Sequence, residues 1–113
     1  YARRIVDARG PWDAAGKVRL VRGSHLIFPK LNSSGHAIAH FHTDGRIFFV
    51  IPWGPNGTRS LVGTTDADHE GTADEVKVSA EEVRYMTSIV EHLFPGAKGI
   101  APVGAYSALR PLV

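Results

Sequence analysis

Apolar positions recur at two spacings along the chain, and together they predict a sheet with one helix. Residues 2–8, with Ile5, Val6 and Ala8, read as a short strand ended by Gly10-Pro11. A second extended run follows, Val18-Arg19-Leu20-Val21-Arg22 and then His25-Leu26-Ile27-Phe28, in which apolar and basic residues alternate imperfectly around Gly23-Ser24. Glycine inside a strand marks a bulge or a close backbone approach, and Pro29 closes the run. Ala37-Ile38-Ala39-His40-Phe41-His42 and Arg46-Ile47-Phe48-Phe49-Val50-Ile51 flank Thr43-Asp44-Gly45, where the Asp-Gly pair supplies the positive φ of a tight hairpin turn. The stretch 47–51 is apolar without a break, so this strand is expected to be covered on both faces. A turn cluster at 52–57 leads into a strand over 59–65.

The polar stretch 67–77 reads as a loop. Ser79 and Glu82, three apart, make a capping box in which each side chain satisfies the other's free backbone N–H. The spacing then predicts a helix from 80 to about 94, with Val83, Met86, Val90, Leu93 and Phe94 as its buried stripe and Pro95-Gly96 as its stop. Residues 100–109 return as a strand. The fold class expected is α+β: a mostly antiparallel sheet with one main helix packed on it. The chain opens directly on a strand and stops without a terminal element, as expected of a fragment of a larger protein.

Composition narrows the function classes. Of the 113 residues 43% are hydrophobic and 21% charged, which suits one globular domain. There is no cysteine, so disulfides, thiolate metal sites and a cysteine nucleophile are excluded. Thirteen Lys+Arg against 11 Asp+Glu leave a formal charge of +2, and the cations are scattered, so no nucleic-acid partner is expected. No apolar run approaches the ~20 residues that cross a bilayer.

Six histidines first suggest a metal. His40 and His42 would share a strand face, with His36 just upstream, as in a cupin-like site; yet Thr43, Asp44 and Arg46 follow, and a cation there is a poor neighbour for a divalent metal, so no metal is expected. Phosphate-cradling glycine loops and the Gly-x-Ser-x-Gly elbow of serine hydrolases are absent. His25 sits beside a glycine in an otherwise apolar strand. Tyr106-Ser107-Ala108-Leu109-Arg110-Pro111 places a phenol and a guanidinium on a strand of small residues, where an arginine suits a phosphate or carboxylate.

In this order, Arg9-Gly10-Pro11-Trp12, Arg22-Gly23-Ser24-His25, Gly45-Arg46-Ile47-Phe48-Phe49-Val50-Ile51-Pro52-Trp53, Leu61-Val62-Gly63-Thr64-Thr65-Asp66 and Tyr106-Ser107-Ala108-Leu109-Arg110-Pro111-Leu112 resemble the FAD-dependent glycerol-3-phosphate dehydrogenases over nearly the whole chain. The resemblance implies an oxidoreductase that converts sn-glycerol 3-phosphate to dihydroxyacetone phosphate by hydride transfer to FAD. It implies that residues 1–17 are a remnant of the FAD-binding domain, with Gly10, Pro11 and Trp12 cofactor-binding, and that 18–113 are a substrate-binding cap. His25 would be the base and Arg110 the cation for the phosphate or the developing oxyanion. Among the substrate-binding residues Tyr106 would orient the substrate or shape the pocket and Ser24 would hydrogen-bond to substrate or flavin, while Thr64, Thr65 and Asp66 fix the nearby strand end. The electron acceptor would be a quinone or oxygen, and the parent cytoplasmic, with peripheral membrane association typical of the family.

This chain departs from the family pattern in lacking the N-terminal dinucleotide fingerprint and the C-terminal Gly-Gly-Lys segment. It also has Arg9 where threonine is usual, Ala108 where glycine is usual, and a short connection over 13–17. The piece alone is therefore expected neither to hold FAD nor to be active. A free-standing anion- or partner-binding module, and the cupin-like metal protein, are the competing readings.

Overall fold

Leu26 and Phe28 alternate with His25 and Ile27 along an eleven-residue strand, β1 (Arg19–Pro29), and this alternation fixes which side of the sheet each one serves. The computed structural model describes residues 19–69 and 75–112. The strand expected over 2–8 and the Gly10-Pro11-Trp12 segment lie outside them. The remaining strands are β2 (Ile38–Phe41), β3 (Ile47–Trp53), β4 (Arg59–Gly63), a two-residue β5 (Ala67–Asp68) and β6 (Gly104–Leu112). All pairings are antiparallel, in the order β2-β3-β4-β1-β5 with β6 also on β1. The α+β class expected from the sequence is the class observed.

The β2–β3 hairpin closes as expected. The His42 N–H donates to the Arg46 carbonyl at 2.9 Å, the Gly45 N–H to the His42 carbonyl at 3.0 Å, and Gly45 takes φ 85°. The polar stretch read as a loop contains β5. β6 begins later than expected and runs through Pro111. It pairs only with β1 among the described residues, and on such an edge strand the missing N–H of a proline is tolerated.

Helix α1 (Ala80–Leu93) carries the expected capping box, with the Glu82 N–H donating to Ser79 Oγ at 3.1 Å and the Ser79 N–H to Glu82 Oε1 at 3.0 Å. Met86 and Val90 are buried as expected, together with Ile89; Val83, Leu93 and Phe94 are half-buried against them. Their partners on the sheet are Leu26, Phe28, Phe48, Val50 and Val62. Tyr85 anchors the hairpin tip to the helix, its hydroxyl donating to Asp44 Oδ2 at 2.9 Å.

The expectation that the 47–51 strand is covered on both faces is corrected. Phe48 and Val50 face the helix and are buried, whereas Ile47, Phe49 and Trp53 point the other way and are exposed, as is Phe41. One helix covers one face. The other is bare of any described element and exposes apolar side chains, and it carries the candidate site.

Candidate active site

Residues opposite one another in an antiparallel ladder share a face. On β1 the odd positions therefore define the bare face: Val21 lies opposite Arg110, Gly23 opposite Ala108 and His25 opposite Tyr106 on β6, while on its other side His25 lies opposite Gly63 of β4. In this way two strands that are distant in sequence, β1 and β6, bring His25, Tyr106 and Arg110 together.

Two glycines make the room. A Cβ at Gly63 would lie 2.5 Å from His25 Cδ2, so the imidazole lies flat over a position that tolerates no side chain. A Cβ at Gly23 would lie 3.0 Å from both Arg110 Nη2 and Thr64 Oγ1, so the guanidinium folds across β1 at its glycine. The Gly23 approach is therefore a close contact and not a bulge. On its other side His25 stacks on Tyr106, with ring centroids 4.9 Å apart and planes inclined by 13°.

Burial and then the nearby Arg110 charge lower the pKa of His25 from 6.5, so the ring is neutral at physiological pH. Its Nδ1 is buried with no hydrogen-bond partner among the described residues, and the same is true of Arg110 Nε. A buried polar atom left unpaired costs ~1–3 kcal/mol, so two of them on one face mark a surface completed by a further group. Arg110 Nη2 donates to the Thr65 carbonyl at 2.8 Å and to Asp66 Oδ1, which holds the guanidinium at the strand end.

Ser24, expected to contact substrate or flavin, is placed elsewhere. It is an even position of β1, fully buried toward the helix, and its Oγ pairs with Ser107 Oγ at 2.7 Å. Parity excludes it from the face that His25 occupies. Thr64 lies beside Gly23 as expected, and Thr65 and Asp66 hold Arg110. His40 and His42 have ring centroids 5.8 Å apart at the hairpin end, and among the described residues no three His, Cys, Asp or Glu side chains are grouped to hold a metal ion.

The reading of isolated motifs missed Glu82 as more than a cap. Its carboxylate receives Arg22 Nε at 2.8 Å on Oε1, the Ser79 N–H at 3.0 Å on the same oxygen, and the Thr65 hydroxyl on Oε2. Burial alone would raise its pKa, but hydrogen bonds from Ser24, Thr65 and Ser79 and the charge of Arg22 outweigh it and hold the carboxyl at about 2. A depressed acid contributes stability that is complete above its unfolded value of 4.5 and is lost as pH falls toward about 2. That contribution is about 3 kcal/mol at neutral pH. Urea unfolding at pH 7 and pH 3 is expected to show this loss in the wild type, and Glu82→Gln to unfold with a shallower pH dependence. An identical acid dependence in the variant contradicts the assignment.

The whole chain, residues 1–113, matches the family model described as FAD dependent oxidoreductase. The chain belongs to the FAD-dependent oxidoreductase family. It is 35% identical to the glycerol-3-phosphate dehydrogenase of Pseudomonas aeruginosa and 34% identical to the D-erythritol 1-phosphate dehydrogenase of Brucella abortus, in each case over 98% of this chain and 24% of the relative. It thus spans about a quarter of the length of these relatives. Its fold is that of part of the glycerol-3-phosphate dehydrogenase from Bacillus halodurans complexed with FAD, with TM-score 0.69 and 24% identity over 84% of this chain and 19% of that one. In this family FAD is the redox cofactor. The bare sheet face fits such a group: it is apolar, glycines hold His25 and Arg110 flat against it, and unpaired polar atoms await a partner there.

Proposed function

We propose that this chain is the substrate-binding part of an enzyme that oxidises the secondary alcohol of a small phosphorylated polyol, with glycerol 3-phosphate as the substrate and dihydroxyacetone phosphate as the product. The observation that carries this reading is a neutral imidazole, its buried Nδ1 without a hydrogen-bond partner among the described residues, and a cation on one apolar sheet face. FAD, when bound, supplies the hydride acceptor. The chain's own residues do the rest.

His25 accepts the hydroxyl proton as the carbonyl forms, a role open to it because the ring is neutral at working pH. Arg110 binds the phosphate or the oxyanion that develops at the reacting carbon, with an N–H at Nε still to be satisfied. Tyr106 stacks on the imidazole, nearly parallel to it, and orients the substrate or shapes the pocket. Gly10, Pro11 and Trp12 remain the proposed cofactor contacts of the segment over 1–17, and residues from 18 onward form the cap. A quinone or oxygen completes the cycle as electron acceptor.

Anaerobic mixing of the FAD-loaded full-length protein with glycerol 3-phosphate is expected to bleach the flavin absorbance. Glycerol itself should react at least about ten-fold more slowly, since a hydrogen bond to a charged group contributes ~1.5–3 kcal/mol. D-erythritol 1-phosphate serves as the second phosphorylated substrate, because relatives of nearly equal identity bear both names. Equal rates with and without the phosphate contradict the proposal.

A further inference from the structure

Ser24 donates its backbone N–H to a side chain and not to a strand, and this departure leads from the helix to the site. β4 ends at Gly63 opposite His25, and β5 begins at Ala67 opposite Arg22. Between them Gly23 and Ser24 have no strand neighbour on that edge. Thr65 fills the gap. Its Oγ1 accepts from the Ser24 N–H at 3.0 Å and donates to Glu82 Oε2, while its backbone carbonyl accepts from Arg110 Nη2 at 2.8 Å. Thr65 is 3% exposed and Glu82 6%, so water does not replace these partners.

We infer that Glu82 and Thr65 are positioning residues that set the orientation of Arg110 from the opposite side of the sheet. The chain of contacts is continuous. Glu82 is fixed by Arg22 and by its own capping box; it fixes the Thr65 hydroxyl; and a β-branched side chain held at its hydroxyl holds its own backbone, whose carbonyl receives the guanidinium. Asp66, the next residue, takes the same Nη2, so a shift of this segment moves both acceptors at once. Neither Glu82 nor Thr65 needs to touch substrate for its loss to be felt, because a displacement of about 1 Å in a binding group costs up to ~100-fold in rate.

The inference rests on the catalytic reading of Arg110, and the test separates the two. Flavin reduction by glycerol 3-phosphate is measured in single turnovers for the FAD-loaded full-length protein carrying Thr65→Val, Thr65→Ser, Glu82→Gln, Arg110→Ala and the Thr65→Val/Arg110→Ala pair. Thr65→Val is expected to lower the efficiency of reduction by at least about ten-fold, Thr65→Ser to restore it to within about three-fold, and Glu82→Gln to follow Thr65→Val in direction. In the Arg110→Ala background the Thr65→Val penalty is expected to vanish, since residues acting through one group are not additive. An undiminished penalty in that background, or no penalty in the presence of Arg110, overturns the inference while leaving the role of Arg110 intact. Near-native reduction by Arg110→Ala alone overturns the catalytic reading and the inference with it.

Discussion

Replacing His25 with alanine in the FAD-loaded full-length protein is expected to lower the rate of flavin reduction by about a hundred- to ten-thousand-fold, the usual contribution of a positioned base. The effect belongs to the chemical step and not to the fold. His25 lies flat over Gly63 and stacks on Tyr106, yet its Nδ1 holds no hydrogen bond among the described residues, so its removal costs the sheet little. Substrate affinity should change far less than the limiting rate if, as proposed, Arg110 and not the imidazole holds the phosphate. Near-native reduction by His25→Ala removes the base assignment.

Arg110→Ala is expected to cost about a hundred- to a thousand-fold in kcat/KM, as for loss of one donor to a developing oxyanion. Here KM should rise together with the fall in kcat if the guanidinium also binds the phosphate. Arg110→Lys should recover only part of the loss. An ammonium keeps the charge but cannot span Asp66, the Thr65 carbonyl and a ligand with a planar fork. Steady-state kinetics on the two variants check this, and full activity in Arg110→Lys contradicts a forked contact.

Local chemistry explains how much of the fold was legible. The Asp-Gly turn, the Ser79–Glu82 box and the helix stop each depend on a few neighbouring residues, and all three stand where the sequence puts them. Elements fixed by distant partners were harder to read. β6 continues through Pro111 because among the described residues it has only β1 beside it, a condition no local pattern reveals. The run 47–51 reads as doubly buried because its apolar content records two covered faces, and the described residues supply only the helix side.

The site follows the same division. His25, Tyr106 and Arg110 could be named from the sequence because glycine and small residues mark close approach, but their convergence needed the register of β1 against β6. Ser24 lies apart from His25 because adjacent residues on a strand face opposite ways, and its hydroxyl pairs with Ser107. Glu82 was read as a cap and nothing more. Its contact with Thr65 joins a helix terminus to a strand crossing, and such a contact leaves no spacing in the sequence.

The account is tested most directly by the pH dependence of flavin reduction at saturating substrate, in the wild type and in His25→Ala. Burial and the charge of Arg110 keep the imidazole neutral until the pH falls below 6.5. The wild-type rate should therefore be level near neutrality and fall on acidification as one proton binds, while the variant should be slow and show no such decline. A variant that retains the wild-type acid decline would assign the proton to another group and contradict the account.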